Sequence, residues 1–361
     1  MLPGLTPLVV WTDRGLYCPS GDFYIDPLRP VHRAVITHAH SDHARRGCES
    51  YICAESGVGL LKVRLGKRIS VRGVPYRESF SLGDVQVSLH PAGHILGSSQ
   101  VRIQRGDEVW GISGDFKRDS DPSCEPFEVV KCDTWVTEAT FGTPKYVWPM
   151  GQDYGEQIAS WWFGNQRKGK NSLLFGYSLG KLQRILSELA PHAKRPILIH
   201  RAASELTQCY RDEGRVLAPT RDLEALDPRE LLQGELILAP PSILSSEWTE
   251  KLGNFETAFA SGWMLGSERG WNASGERRFD QGFVISDHAD WPTLNRTVDE
   301  TGARSVFVLH RGLGAFVRHL RKRGIDAHPI LALACENVEV PQESEQGVLP
   351  LFDQLGQRGD G

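Results

Sequence analysis

With 361 residues the chain exceeds the roughly 250 to 300 at which a single core stops growing, so two domains, or one domain with a large insertion, are expected. Hydrophobic residues make up 40% and charged residues 24%, the balance of a globular protein with an ample core; no apolar run approaches the roughly 18 residues of a membrane span, which excludes an integral helical membrane protein. A formal net charge of -4 argues against a general nucleic-acid coating protein while leaving room for a local basic groove.

The opening "MLPGLTPLVVW" has prolines and no basic stretch ahead of a long apolar run, so it does not read as a secretory signal, and the expected location is cytoplasmic. Cys18, Cys48, Cys53, Cys124, Cys132, Cys209 and Cys335 are odd in number and include no CxxC pair, which suits reduced core thiols better than disulfides or a zinc ribbon. From Val9 to Val136 the text is a series of short β-like runs, "FYI", "RAVIT", "SYICA", "VQVSLH", "QVRIQ", "EVWGIS" and "TWVTEA". After Pro149 it becomes alternating helix and strand: an amphipathic stretch from Gln152 to Phe163, then "NSLLFGYS", "GKLQRILSELA" and "RPILIH", which predicts a parallel α/β unit. "ELILAP" and "ETAFAS" extend it, and a polar, Gly- and Arg-rich link from Gly266 to Arg278 closes it. Sheet-like text returns with "QGFVIS", "SVFVLH" and "AHPILAL", between helices near Trp291 to Thr301 and Gly314 to Lys322. The simplest layout is an α/β domain interrupted by an inserted α/β domain, without internal repeats, and with a polar tail from about Val338 to Gly361 that reads as mobile.

The chemistry is concentrated in Ile36 to Ala44, "ITHAHSDHA". Side chains alternate along a strand, so His38 and His40 point the same way and can reach one metal, while a turn after them would send Asp42 and His43 toward a second position. Two cations about 3.5 to 4 Å apart form a clamp suited to displacement at phosphorus, and also occur in amide-cleaving hydrolases. A surface histidine cluster is the plainer explanation, but an aspartate inside HxHxDH directly after a β-branched strand tells against it. A dinuclear site needs further ligands, and His94 in "HPAGHILGSSQV", Asp115 in "GISGDFKRD" and His310 at the end of "SVFVLH" stand at strand ends. Each alone would be an ordinary loop residue; their recurrence at strand C-termini carries the argument.

In this order the motifs resemble the metallo-β-lactamase fold, and within it the nucleic-acid-processing branch with an inserted β-CASP domain, over nearly the whole chain to about Ala334. "FYID" with Asp26, "HAHSDH", "GH" at His94 and "SGDF" at Asp115 match the general fold; Glu138 in "TEATFG", His288 in "ISDHADW" and His310 in "VLHRG" match the β-CASP branch. The opening "WTDRGLYCPSGDFYIDP" looks like the bacterial ligase-associated DNA exonucleases. The resemblance implies an αββα sandwich with an inserted β-CASP α/β domain: residues 1–149 and 279–337 as the two parts of the metallo-β-lactamase domain, 150–278 as the insertion and 338–361 as a flexible tail. It further implies that His38, His40 and His94 hold one metal and Asp42, His43 and His310 the other, with Asp115 bridging and Asp26 orienting a ligand. The ions would be zinc or manganese.

The expected reaction is attack on a phosphodiester by a water activated between two cations, breaking the bond to O3′ and leaving a 5′-phosphate. Asp42, Glu138 and His288 are the residues expected to act in it, His288 as general acid oriented by Glu138. The insertion would cover the site and admit single strands better than duplex, and "ASGWMLG" resembles a family turn in which Ser261, Gly262 and Trp263 contact a substrate phosphate, as an anion nest would. Lys117, Arg118, Lys145 and Lys181 are candidate phosphate-facing cations, and Trp148, Trp263 and Trp271 candidate base-stacking rings, although core packing is the commoner fate of such tryptophans.

Rival readings exist. "GYSLG" at Gly176 to Gly180 matches the GxSxG nucleophile elbow between strand and helix, so a serine α/β-hydrolase using Ser178 is an alternative, though it leaves HxHxDH unexplained; otherwise Ser178 would cap the helix. A thioesterase or lactonase on the metal fold is weakened by Glu138, His288 and the insertion. DNA is the preferred substrate and an RNA-processing β-CASP ribonuclease the runner-up, because relatives with a histidine at the His310 position often act on RNA. An ATP-dependent DNA ligase is the implied functional partner. "QGVLPLF", Gln346 to Phe352, fits the pattern by which bacterial proteins dock on the replication sliding clamp, though its apolar residues could as well fold back on the chain.

Overall fold

The computed structural model describes residues 7–227, 229, 231–245, 252–266, 279–309 and 313–334. His310, Trp271, Cys335 and the segment from Gln346 to Phe352 lie outside these described residues, as does the expected tail. Three six- or seven-stranded sheets carry the structure.

The first sheet takes its strands in chain order: β1 (Val10–Thr12), β2 (Gly15–Cys18), β3 (Phe23–Ile25), β4 (Arg33–Val35), β5 (Ser50–Ala54) and β6 (Val71–Val74). It is antiparallel through β3 and parallel from β3 to β6. The second runs β19 (Asp326–Pro329), β18 (Ser305–Val308), β11 (Thr134–Thr137), β10 (Glu108–Ile112), β9 (Ser99–Arg105), β8 (Val85–Pro91), β7 (Ser79–Leu82). Thr134 pairs with Ser305 and Thr137 with Val308, so the chain leaves this sheet after β11 and returns beside the strand it left. In between it builds the third sheet, in the order β14 (Thr220–Asp222), β13 (Ile197–Ile199), β15 (Leu236–Ala239), β12 (Asn171–Phe175), β16 (Phe255–Ala260), β17 (Gln281–Phe283). Every pair in it is parallel. All residues of β12 and β15 are buried, as expected of strands covered on both faces. "QGFVIS", expected among the returning strands, instead supplies β17 at the edge of the third sheet, pairing with β16.

Apolar packing ties these layers together. Val35 and Ile52 of the first sheet share a cluster with Val87, Val101, Ile103 and Ile112 of the second. The other face of the first sheet, with Ala34, Tyr51 and Cys53, packs on Leu60, Leu61 and Leu65 of α1 (Val58–Leu65). Trp135, Val306 and Val308 of the second sheet pack on Leu294 and Val298 of α5 (Trp291–Thr301) and on Phe316 and Leu320 of α6 (Leu313–Lys322). The third sheet buries one face against α2 (Tyr154–Arg167) and α3 (Lys181–Glu188) through Ile158, Trp162, Leu182 and Ile185. Among the described residues the remaining α-helix, α4 (Arg201–Asp212), puts Ala203 into that cluster and Leu206 and Tyr210 into the one beneath the first sheet, so it fastens the third sheet to the first.

The helix ends follow local chemistry. Asp153 caps α2 by accepting from the Glu156 amide at 2.8 Å, and Asp290 caps α5 by accepting from the Thr293 amide at 3.0 Å. The six described cysteines are free thiols, four of them buried. Among the described residues no helix is long and apolar enough to cross a membrane.

Candidate metal centre

The "ITHAHSDHA" segment leaves β4 with the Ile36 amide still bonded to Ile52 O at 2.8 Å, then closes a tight turn in which His40 O accepts from the amides of His43 and Ala44. His94 sits in the turn after β8, its amide held by Ser98 Oγ at 3.0 Å. Asp115 follows β10 and the left-handed Gly114, whose position no side chain could share: an added Cβ would lie 2.7 Å from Thr37 Cβ. Three chain-distant loops are thereby pressed onto one another.

The result is a close group of His38, His40, His94 and Asp115, overlapped by Asp26, His38 and His43 on one side and by Asp115, Glu138 and His288 on the other. His40 Nδ1 is 3.1 Å from both His38 Nε2 and His94 Nε2. Asp115 Oδ2 is 3.5 Å from His38 Nε2, 3.4 Å from His43 Nε2 and 3.7 Å from His94 Nε2.

The outward nitrogens of these rings decide what the inward ones can do. His40 Nε2 faces Leu179 O at 3.1 Å and His94 Nδ1 faces Asp287 O at 2.6 Å. A carbonyl only accepts, so both of those nitrogens carry the proton, and His40 Nδ1 and His94 Nε2 are left with lone pairs. His38 Nδ1 meets Thr37 Oγ1 at 3.1 Å, and that hydroxyl donates to Asp26 Oδ2 at 2.5 Å. His43 Nδ1 bonds Asp26 Oδ2 at 2.7 Å. Imidazole lone pairs facing one another at this spacing repel unless a cation lies between them. Zn–N bonds of about 2.0 to 2.1 Å place neighbouring ligand nitrogens roughly 3 to 3.5 Å apart, so the donor set fits a divalent cation.

The electrostatics agree. Burial, reinforced by the neighbouring imidazoles, holds His38 and His94 well below the ordinary histidine pKa, and burial lowers His40 as well, keeping all three in the neutral, ligating form. Burial also opposes charge on His43, but the carboxylates of Asp115 and Asp26 overcome it and push that ring well up; the field that draws a proton to His43 Nε2 would equally draw a cation. Asp26 manages this with a left-handed backbone, φ 43°, a conformation disfavoured for a residue with a side chain and kept here by three hydrogen bonds to its carboxylate, from Thr37 N, Thr37 Oγ1 and His43 Nδ1.

Beside this group His288 Nδ1 lies 2.9 Å from Glu138 Oε2. Glu138 is buried and held by the Phe116 amide at 2.7 Å and Thr140 Oγ1 at 2.6 Å. Against the cost of burial, Glu138 first and Asp115 next raise the His288 pKa to about 9, which favours the protonated ring. Trp148 Nε1 donates to His288 O at 3.0 Å, giving that buried indole a positioning role in place of base stacking.

No family model matches the chain. A probable DNA ligase of Opitutus terrae is 31% identical over 326 residues, 90% of this chain and 31% of that protein. The transcription termination factor FttA of Methanosarcina mazei is 23% identical over 220 residues, covering 51% and 34%. The endoribonuclease YSH1 of Yarrowia lipolytica is 25% identical over 118 residues, covering 32% and 14%. The chain resembles the metallo-β-lactamase-fold β-CASP nucleases. It spans about a third or less of the length of these curated relatives. Among solved structures, a protein of unknown function from Enterococcus faecalis superposes with a TM-score of 0.52 over 77% of this chain and 75% of that one, at 11% identity, a likeness of fold.

Several residues stand apart from the β-CASP-like cluster. Asp42 is exposed, its Oδ2 3.8 Å from His43 Nε2, and belongs to none of the three close groups. Ser261 is buried in a short turn three of whose amides are engaged within the protein: Ser261 N with Phe283 O, Trp263 N with Ser261 Oγ and Met264 N with Ser261 O. Gly262 packs so tightly that an added Cβ would lie 2.8 Å from Phe141. Ser178 does not cap α3. Gly180, at φ 88°, is the cap residue, and its amide is satisfied by Gln183 Oε1 at 2.7 Å. Among the described residues no histidine or carboxylate bonds the Ser178 hydroxyl; the "GYSLG" turn instead delivers Leu179 O to His40, and a Cβ on Gly180 would strike Ile95 at 2.4 Å.

Three of the cations expected to face phosphate are committed elsewhere. Lys117 is buried with Nζ 2.5 Å from Asp121, Lys181 is buried 2.8 Å from Asp287, and Arg118 pairs with Glu300 at 2.6 Å. Lys145 lies over the Tyr146 ring, 4.6 Å from its centroid. Lys181 and Arg184 of α3 donate to Ile285 O at 2.5 Å and Ser286 O at 2.6 Å, so they pin the segment whose next residues are Asp287 and His288. Of the residues that orient the centre, Thr37, Leu179 and Asp287 stand within the quoted motifs and Arg184 within "GKLQRILSELA", but nothing in those motifs announces that a hydroxyl, two carbonyls and a guanidinium would hold the rings and the His288 segment.

Proposed function

We propose that the chain is a metal-dependent phosphodiesterase, a nuclease acting on DNA, with the metallo-β-lactamase αββα sandwich interrupted by a β-CASP α/β domain. The first two sheets sharing one core, with helices on their outer faces, support the sandwich; the all-parallel third sheet, entered after β11 and left before β18, supports the insertion, drawn from sequence as 150–278 between 1–149 and 279–337, with β17 (Gln281–Phe283) carrying the third sheet past that boundary. The observation that carries the functional reading is four imidazoles and Asp115 converging beside a Glu138–His288 pair.

In this reading His38, His40 and His94 would hold one ion, zinc or manganese, and Asp42, His43 and His310 the other, with Asp115 as a ligand available to both. When bound, such cations lower the pKa of a water nucleophile and neutralise charge gathering on phosphoryl oxygens. Asp26 keeps His43 and, through Thr37, His38 turned toward the site. His288 holds its transferable proton at Nε2 while Nδ1–H is tied to Glu138, and passes it to the departing O3′, leaving a 5′-phosphate on the product. Ser261, with Gly262 and Trp263, contacts a substrate phosphate through its hydroxyl hydrogen, since its oxygen already accepts from Trp263 N.

DNA is favoured because the relative matched over 90% of this chain is named a probable DNA ligase, which also supports a ligase as functional partner in DNA repair. RNA is the second reading, favoured by the endoribonuclease among the relatives. The proposal is tested by incubating the protein, with zinc or manganese, with end-labelled single- and double-stranded DNA and RNA. His288→Ala should slow cleavage by about 10² to 10⁴-fold while metal content is unchanged. A variant with full metal and full rate would remove the acid from His288, and cleavage that survives thorough chelation would remove the metal mechanism.

A further inference from the structure

We propose that a groove bordered by Arg45, Arg46, Arg64 and Arg201 is a track for the sugar-phosphate backbone of the nucleic-acid strand that enters the candidate metal centre. This rests on the phosphodiesterase reading and adds to it a binding site outside the centre itself.

The groove has a volume of about 640 Å³ and runs between the turn after "ITHAH", the C-terminal end of α1 and the first residues of α4. Its relation to the centre is direct. Ser41 and Ala44 line the groove, whereas Asp42 and His43, between them in sequence, line a second cavity of about 200 Å³ together with Asp26, Asp115 and Glu138. One turn is thus the wall shared by both spaces, and a strand lying in the groove needs only to cross that turn to put a phosphate over the metal ligands.

The charge of the groove is out of keeping with the rest of the chain. Four arginines and a single carboxylate residue, Glu205, line it, in a protein whose formal net charge is -4. Among the described residues none of the four is ion-paired; Arg46 Nη2 donates to the backbone carbonyl of Arg64 at 2.7 Å. By contrast Arg77, Arg105, Arg118, Arg304 and Arg323 each stand against a carboxylate. Guanidinium forks left unpaired along a concavity match the paired oxygens of successive phosphates. The other lining residues, among them Val63, Leu65, Ala202 and Leu206, include no aromatic ring, so the groove offers nothing on which bases could stack. Contact through the backbone alone makes binding independent of base sequence and steeply dependent on salt.

The test uses the full-length, metal-loaded protein and a fluorescent phosphorothioate oligothymidylate, which resists cleavage, with affinity followed by anisotropy across a salt series. Arg45→Gln and Arg201→Gln are suitable because both side chains are exposed and loss of fold is not expected. Each should reduce the slope of log affinity against log salt by about 0.7 and weaken binding about fivefold at about 0.1 M salt, the effects adding in the double variant. Arg304→Gln, which removes an equal charge from the pair with Asp133, should leave the slope as in the wild type. Slopes unchanged in the Arg45 and Arg201 variants, or changed as much by Arg304→Gln, would overturn the track while the nuclease reading stands, provided the wild type still cuts an ordinary oligonucleotide. Displacement of the oligonucleotide by polyglutamate at equal charge would overturn it in favour of an acidic protein ligand. A wild type that neither cuts nor binds would end both.

Discussion

Lys117, Lys181 and Arg184 lie behind the candidate metal centre; Arg45, Arg46, Arg64 and Arg201 lie beside it. The first three are almost fully buried and matched by Asp121 and Asp287, with Arg184 Nη1 3.5 Å and Lys117 Nζ 3.9 Å from Asp287 in addition to the 2.8 Å contact from Lys181. The second group has no carboxylate partner among the described residues and opens onto a groove. Charge of the same sign therefore does opposite work. Buried and paired, it is an internal brace that fastens α3 to the segment holding Asp287 and His288; unpaired at the surface, it is free to receive an anion. Burial depth and pairing, not residue type, separate a structural cation from a binding one.

The comparison can be broken at its strongest point by Asp287→Ala, which would leave Lys181 and Arg184 buried without their shared counter-charge. A loss of about 3 to 5 kcal/mol in urea denaturation is expected. A loss below about 1 kcal/mol would mean that these cations reach water and are not a brace. Low pH probes the same brace more gently. Burial alone would raise the Asp121 pKa, but Lys117 and Arg184 hold it down to about 2, against an ordinary 3.8. Between these values the unfolded chain binds more protons than the folded one. The stabilisation is therefore complete above about pH 4 and disappears as pH falls toward 2, a loss of about 2 kcal/mol from this group, readable as a falling denaturation midpoint. The smallest effect belongs to the groove: Arg45→Gln and Arg201→Gln should shift stability by no more than about 0.5 kcal/mol, as exposed unpaired side chains do. A larger loss would make them structural and blur the contrast.

Much of the centre was legible along the chain. His38, His40 and His43 are close in space because they are close in sequence, and His94, Asp115, Glu138 and His288, recognised from their motifs, do gather around them. The acceptors that fix the rings were not legible. His40 depends on a carbonyl 139 positions away and His94 on one 193 positions away, and a backbone carbonyl has no identity in the residue alphabet. Lys117 and Lys181 look phosphate-facing along the chain because a sequence states charge but not depth. "GYSLG" does form a strand-turn-helix connection, yet its use as the wall that touches His40 depends on how the third sheet docks against the first. "QGFVIS" was recognisable as a strand, but which sheet it joins is a matter of which edge lies open.

What the amino-acid order determined by itself is therefore local: the alternation that sends His38 and His40 to one side, the Asp153 and Asp290 helix caps, the buried runs of the parallel strands and the inventory of metal-binding side chains. Only the tertiary structure decided which nitrogen of each imidazole faces inward, which lysines are sealed behind the centre and which arginines stay open to it. Those outcomes depend on hydrogen-bond partners and solvent exposure contributed by distant segments, and these come into being when the sheets pack.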